Sequence, residues 1–215
     1  MLIDLHAHTN PISWDSALTP DEMIDLCKQA GLDGVCFTEH DYFWDAAACA
    51  ELAKKHDFLV LPGIEVNTEN GHILAYGLTR YRFGMHHVAQ LAAMVAEEGG
   101  VMIAAHPYRR YMPWYELDGA DLEHALERAI ANPAYGHCVS LETLHGRASP
   151  QQNEFSERLR QTLGMRGNGG SDAHQANQVG RCATRFERRI ASIADLVEEL
   201  RAGRFEPVDL REDRA

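Results

Sequence analysis

With 215 residues, 45% of them hydrophobic and 24% charged, the chain is long enough to bury a sizeable core as one ordinary globular domain. A formal net charge of −12 argues against a dedicated nucleic-acid binder, which needs basic surface to neutralise phosphates. Five dispersed cysteines (Cys27, Cys36, Cys49, Cys138, Cys182), odd in number and without a C-x-x-C pair, suggest neither a disulfide framework nor a thiolate zinc knot.

The opening MLIDLHAH carries no basic stretch followed by an apolar one, and no apolar run approaches a membrane span. A cytoplasmic location with no membrane partner is therefore expected. Strand-like and helix-like stretches then alternate from end to end, the pattern of βα units around a parallel sheet or barrel. Residues 1–7 read as a strand. Thr19 and Pro20 supply a cap and a proline for the first turn of a helix over 21–30, which Gly31 stops. GVCFT at 34–38 is the second strand, 46–56 the second helix, and 58–61 an apolar strand that runs on to Val66. Residues 72–77 form a short strand. A helix over about 86–98, a strand at 101–105, a helix at 122–132, a strand at 138–142 and a helix at 150–163 follow. Short strands at 165–169 and 184–186 precede a last helix over 192–202. One domain over 1–209 is expected, with 210–215 a charged, frayed tail.

Barrels of this kind collect catalytic groups where strands end and loops begin. The first strand ends D-L-H-A-H, so the two-residue period puts His6 and His8 on one face, where both imidazoles can reach one cation. The second ends T-E-H, offering His40, and the third ends P-G-I-E, offering Glu65. The strand at 101–105 runs into His106, and GGSDAH offers Asp172 and His174. Any one of these reads equally well as an unrelated surface or core residue; five strand ends carrying ligand types together do not. Mixed histidine and carboxylate ligands without thiolate suit Zn, Mn or Fe ions that stay open to water.

The motifs D-L-H-A-H-T, T-E-H-D, P-G-I-E-V with G-H-I-L-A-Y-G, A-H-P and G-S-D-A-H resemble, in order, those of the PHP (polymerase and histidinol phosphatase) family. The resemblance spans nearly the whole chain and implies an α/β fold, a distorted (β/α)7 TIM-like barrel, with two or three divalent metal ions at its strand ends. It implies one cation on His6, His8, Glu65 and Asp172, a second on Asp15, His40 and His174, and a third on Glu65, His72 and His106. The chain departs from the family at Trp14-Asp15-Ser16, where S-D-G is usual, and at Glu39, where aspartate is usual. L-E-T-L-H-G-R resembles a stretch that places Glu142 and Arg147 at the pocket.

The activity implied is hydrolysis of a small phosphorylated molecule by a metal-bound hydroxide. Asp172, His106 and His174 are the expected catalytic residues and Arg109, Arg147 and Glu142 the expected substrate contacts. No polymerase partner is expected. A ligand histidine lacks a free lone pair, so the general acid stays open between His106 and His174. Two other readings stand beside this one: hydrolysis of a non-phosphate bond, as in amidohydrolase-like barrels, and a non-catalytic module. His56, His86, His87 and His124 are expected on helices facing solvent or local partners; His137 precedes a strand, and His145 lies near Glu142.

Overall fold

The computed structural model describes residues 1–211. In chain order the strands are β1 (Leu2–Ala7), β2 (Gly34–Phe37), β3 (Leu59–Pro62), β4 (Ile64–Thr68), β5 (Gly71–Tyr76), β6 (Val101–Ala104), β7 (Ser140–His145), β8 (Arg166–Gly170), β9 (Cys182–Phe186) and β10 (Phe205–Asp209). The helices are α1 (Pro20–Gln29), α2 (Ala46–His56), α3 (Val88–Glu97), α4 (Gly119–Ile130), α5 (Pro150–Leu163) and α6 (Ile193–Ala202).

Local chemistry sets the helix ends. Thr19 accepts from the Glu22 amide while Glu22 reaches back to Thr19, a capping box with Pro20 in the first turn. Ser149 and Gln152 repeat the device at α5, which ends at Gly164 in the left-handed conformation. Such a cap contributes about 1 kcal/mol each.

The strands form two five-stranded sheets, ordered β10-β9-β1-β2-β3 and β4-β5-β6-β7-β8. β1, β2 and β3 are parallel, and β9 and β10 run antiparallel to their neighbours. In the second sheet β4, β5 and β6 pair antiparallel and β6, β7 and β8 parallel. Two isolated parallel bridges, Ala7 with Ala173 and His40 with Glu65, link the sheets at the ends of β1 and β2. Apolar residues from both sheets, among them Ile3, Leu5, Leu74, Ile103 and Phe186, make a shared core.

The βα alternation matches the sequence expectation, while the closed (β/α)7 ring does not emerge from the strand ladders. One reason is Gly63, where the stretch expected to run unbroken to Val66 divides into β3 and β4. A Cβ there would stand 2.9 Å from Thr38 and from the Tyr76 ring, so the chain passes a point only glycine fits. Another is β10, absent from the sequence reading, which closes against β9 through residues 205–209. Leu210, expected in a frayed tail, is buried and its amide donates to the Arg181 carbonyl; residues 212–215 of that expected tail lie outside the described residues. No helix among the described residues is long and apolar enough to cross a membrane.

Candidate metal centre

Successive strand ends deliver the cluster. Alternation along β1 turns His6 and His8 to one side, with Ala7 packed into an apolar cluster on the other. His40 follows β2, Glu65 lies on β4, His72 on β5 and His106 just after β6, while Asp172 and His174 follow β8. The backbone is left-handed at His106 (φ 26°) and Asp172 (φ 50°). Such conformations cost non-glycine residues about 1–3 kcal/mol each and persist where surrounding contacts hold them. Gly170 gives the floor its closeness, since a Cβ there would stand 2.8 Å from the His6 Cβ and nearer still to the Glu142 carboxylate.

Among the described residues, the buried polar side-chain atoms that make no hydrogen bond include four at this cluster: His6 Nε2, His8 Nε2, Glu65 Oε2 and Asp172 Oδ1. They face one another. His6 Nε2 and His8 Nε2 stand 3.4 Å and 3.2 Å from Asp172 Oδ1, and His8 Nε2 is 3.3 Å from Glu65 Oε2. Around a cation with bonds of about 2.1 Å, tetrahedral ligand atoms stand about 3.4 Å apart. An unpaired buried polar atom costs about 1–3 kcal/mol, and four converging at that spacing fit a divalent ion.

The proton positions agree. Glu142 is an ionised acceptor held down to about 2: burial alone would raise it, but His6 and His145 outweigh that. His6 Nδ1 therefore donates to Glu142 at 3.1 Å, and its Nε2 is left facing the cluster, where a divalent ion can take the place of a proton. Ser13 spends its single hydroxyl proton on Glu39, so its oxygen accepts from His8 Nδ1 at 3.2 Å, which leaves His8 Nε2 facing the cluster too. His145 Nδ1 accepts from the Arg147 amide at 3.3 Å, so its Nε2–H donates to Asp172 Oδ2 at 3.1 Å. Arg109 (2.6 Å) and Arg147 (3.3 Å) donate to the same Oδ2. Three donors on one oxygen leave Oδ1 as the single ligand atom of Asp172.

Beside this group, His8, His40 and His174 converge, and Asp15 Oδ2 lies 3.5 Å from His40 Nε2 and 3.2 Å from His174 Nε2. On the other side Glu65 Oε1 is 2.8 Å from both His72 Nδ1 and His106 Nε2. Arg109 can only donate, so His106 Nε2 accepts from it at 3.1 Å. The lone pairs of Nε2 and Oε1 then face each other, an arrangement that calls for positive charge between them. Burial, reinforced by Arg109 and opposed by Glu65, lowers His106 to about 4.

With protons as the only available cations, the same carboxylates protonate the histidines. Burial works to lower His6 and His8, but Glu142, Glu65 and Asp172 hold His6 well above the usual histidine range, and Asp172 and Glu65 lift His8 to about 9. Burial opposes ionisation of Glu65 and Asp172 as well, and His6 with its neighbours overcomes it, leaving both well below the carboxylate range. Burial, and His8 nearby, lower His174.

A family model described as the PHP domain matches residues 4–169, and one described as PHP-associated matches residues 150–205. The chain belongs to the PHP domain family. An uncharacterised protein of Methanocaldococcus jannaschii is 27% identical over 117 residues, 50% of this PHP chain and 68% of that protein. An error-prone DNA polymerase of Nocardia farcinica is 31% identical over 64 residues, 30% of this chain and only 6% of the polymerase. The crystal structure of a two-domain protein of Bacteroides vulgatus, containing a predicted PHP-like metal-dependent phosphoesterase, superposes with a TM-score of 0.66 at 18% identity, covering 97% of this chain and 64% of that one.

All nine expected ligands of this PHP domain come together in space. Arg109 and Arg147, expected substrate contacts, lie at the rim with side chains 37% exposed. Glu142 does not line the pocket as expected. It is fully buried behind His6 and also accepts from the His106 amide at 2.8 Å, because Gly170 lets β8 press it inward. His145 proves to be part of the cluster through Asp172, and Tyr108 holds its Nδ1 at 3.1 Å. Glu39, in place of the usual aspartate, accepts from the Thr9 amide, the Thr9 and Ser13 hydroxyls and the Trp44 indole, so its extra methylene serves a shell around His8. His56 pairs with Asp21, His87 faces Glu69 and His124 faces Glu127, each away from the centre as expected. No single-residue signal marks Ser13 or Tyr108; only the fold brings them to His8 and His145.

Proposed function

We propose that this PHP domain is a metal-dependent phosphoesterase acting on a small phosphorylated molecule, with His6, His8, Glu65 and Asp172 holding one divalent ion. Asp15, His40 and His174 would hold a second, and Glu65, His72 and His106 a third; Zn, Mn and Fe suit this donor set. The observation that carries the reading is the convergence of four orphaned buried ligand atoms beside two arginines at the rim. The two sheets are taken here as halves of the distorted (β/α)7 barrel, with the Ala7–Ala173 and His40–Glu65 bridges at its seams.

Divalent ions bound there supply Lewis acidity and lower the pKa of water toward neutrality. The protein's own groups do the rest. Arg109 and Arg147 orient the phosphoryl oxygens by charge-assisted hydrogen bonds while fixing Asp172 Oδ2. His145 keeps Asp172 turned so that Oδ1 faces the cluster, and Glu142 and Ser13 keep the imidazoles of His6 and His8 in the ligating tautomer. His174 Nδ1 lies 2.9 Å from the Asp172 carbonyl, which turns its Nε2 toward the ion it would share with Asp15 and His40.

Phosphate release from a panel of nucleotides, sugar phosphates, histidinol phosphate and an aryl phosphate tests this, with added Mn²⁺ or Zn²⁺, with chelator, and with Asp172→Ala. Release that chelator and the substitution both abolish is expected. A metal-loaded protein that releases no phosphate from any of them overturns the reading in favour of a non-phosphate bond.

A further inference from the structure

Beside the cluster, a cavity of about 230 Å³ opens between the β4–β5 hairpin and the turn after β6. His72, His106 and Arg109 form its edge toward the candidate metal centre, and Asn67, Asn70 and Arg110 lie farther out. Its charge is unusual for this chain. No aspartate or glutamate lines it, although the protein carries 32 acidic residues against 20 basic ones. The two consecutive arginines behave differently. Arg109 is engaged with Asp172 and His106. Arg110 is exposed at the cavity wall, and among the described residues none pairs with its guanidinium.

A free guanidinium facing a carboxylate-free cavity favours an anion. It presents planar donors, stays charged at any working pH and is weakly hydrated, so it gives up little water on pairing with carboxylate or phosphate. The asparagines and the Tyr135 ring along the same wall add neutral hydrogen-bonding and apolar surface, not competing charge.

We propose that this cavity is a second anion subsite, and that Arg110 selects substrates carrying a carboxylate or phosphate in addition to the phosphate to be cleaved. The proposal rests on the phosphoesterase reading for the first group only. The second group would sit in the cavity while Arg109 and Arg147 hold the phosphoryl oxygens, so binding energy remote from the reacting bond would position that bond.

Binding and turnover together test it. Calorimetry on the metal-loaded protein would compare 3-phosphonopropionate and 5-phosphonopentanoate, which are not hydrolysed, with their neutral carboxamides. The wild type is expected to prefer the carboxylate at one length or both by about ten-fold or more, the size of a charge-assisted contact. Arg110→Gln should remove that preference while leaving carboxamide binding within about two-fold, and Arg110→Lys should restore part of it. Equal binding of acid and amide, or an equal loss for both in Arg110→Gln, overturns the subsite. Matched phosphate esters, with and without a terminal carboxylate, separate the two readings. If neither these esters nor any member of the phosphate panel releases phosphate while the binding preference persists, the phosphoesterase reading fails and the anion subsite stands.

Discussion

Glu142 offers a substitution whose effect on metal binding differs from its effect on shape. Its two oxygens divide between His6 Nδ1 at 3.1 Å and the His106 amide at 2.8 Å, both donors. Glu142→Gln keeps the volume but supplies one acceptor and one donor. If the amide oxygen stays on the His106 N–H, the new NH₂ faces His6 Nδ1, which must then accept, and the ring proton moves to Nε2. That nitrogen is one of the four converging ligand atoms, so the primary site loses a donor. If the amide flips, two N–H groups oppose each other behind His106, at about 1–3 kcal/mol. Loss of a partner behind a ligand histidine typically lowers metal affinity 10–100-fold, and tautomer inversion puts the expected change toward the upper end. Titrating Mn²⁺ or Zn²⁺ against a competing chelator measures it, with thermal unfolding as a check on folding. A folded Glu142→Gln protein whose affinity stays within about three-fold of wild type would refute the tautomer argument.

Gly170→Ala, which drives a methyl into Glu142 and the His6 Cβ, should destabilise by about 1–3 kcal/mol and weaken metal binding with it; unchanged denaturant midpoint and affinity would show that the floor can yield. Arg109→Ala should raise KM for any phosphoester and lower metal affinity too, because it also releases Asp172 Oδ2, whereas the longer contact of Arg147 at 3.3 Å predicts a smaller effect on metal; steady-state kinetics beside metal titration separates the two. Metal-free protein should lose stability as pH rises from 6.5 through about 9, because His8, lifted above its unfolded value, holds a proton there that the unfolded chain has released. Metal should abolish that alkaline loss and release protons on binding, read by calorimetry in two buffers of different ionisation enthalpy; a flat profile in metal-free protein contradicts this.

The ligand-bearing strand ends were readable because each motif couples an apolar run to a histidine or carboxylate at its C-terminal end, and period-two alternation alone places His6 with His8. Helix α5 was readable to the residue, since Ser149, Pro150 and Gly164 mark both ends chemically. What escaped was tertiary. The Phe205–Asp209 strand contains Pro207 and follows a helix closely, so its composition suggests chain end; its partner β9 lies earlier in sequence and supplies the pairing. The break at Gly63 depends on the Tyr76 ring, and the burial of Glu142 depends on Gly170 from a different strand. Glu142 looked like a pocket residue because L-E-T-L-H-G-R resembles a family stretch with a glutamate and an arginine at the pocket, yet β7 turns its carboxylate inward while Arg147 reaches the rim.

The most direct test of the account is an anomalous-scattering map from crystals grown with Mn²⁺ or Zn²⁺, recorded at the metal's absorption edge. The account predicts a peak within bonding distance of His6 Nε2, His8 Nε2, Glu65 Oε2 and Asp172 Oδ1, four buried atoms that converge without making a hydrogen bond. Crystals that carry the metal elsewhere on the protein but show no peak among those four atoms would contradict it.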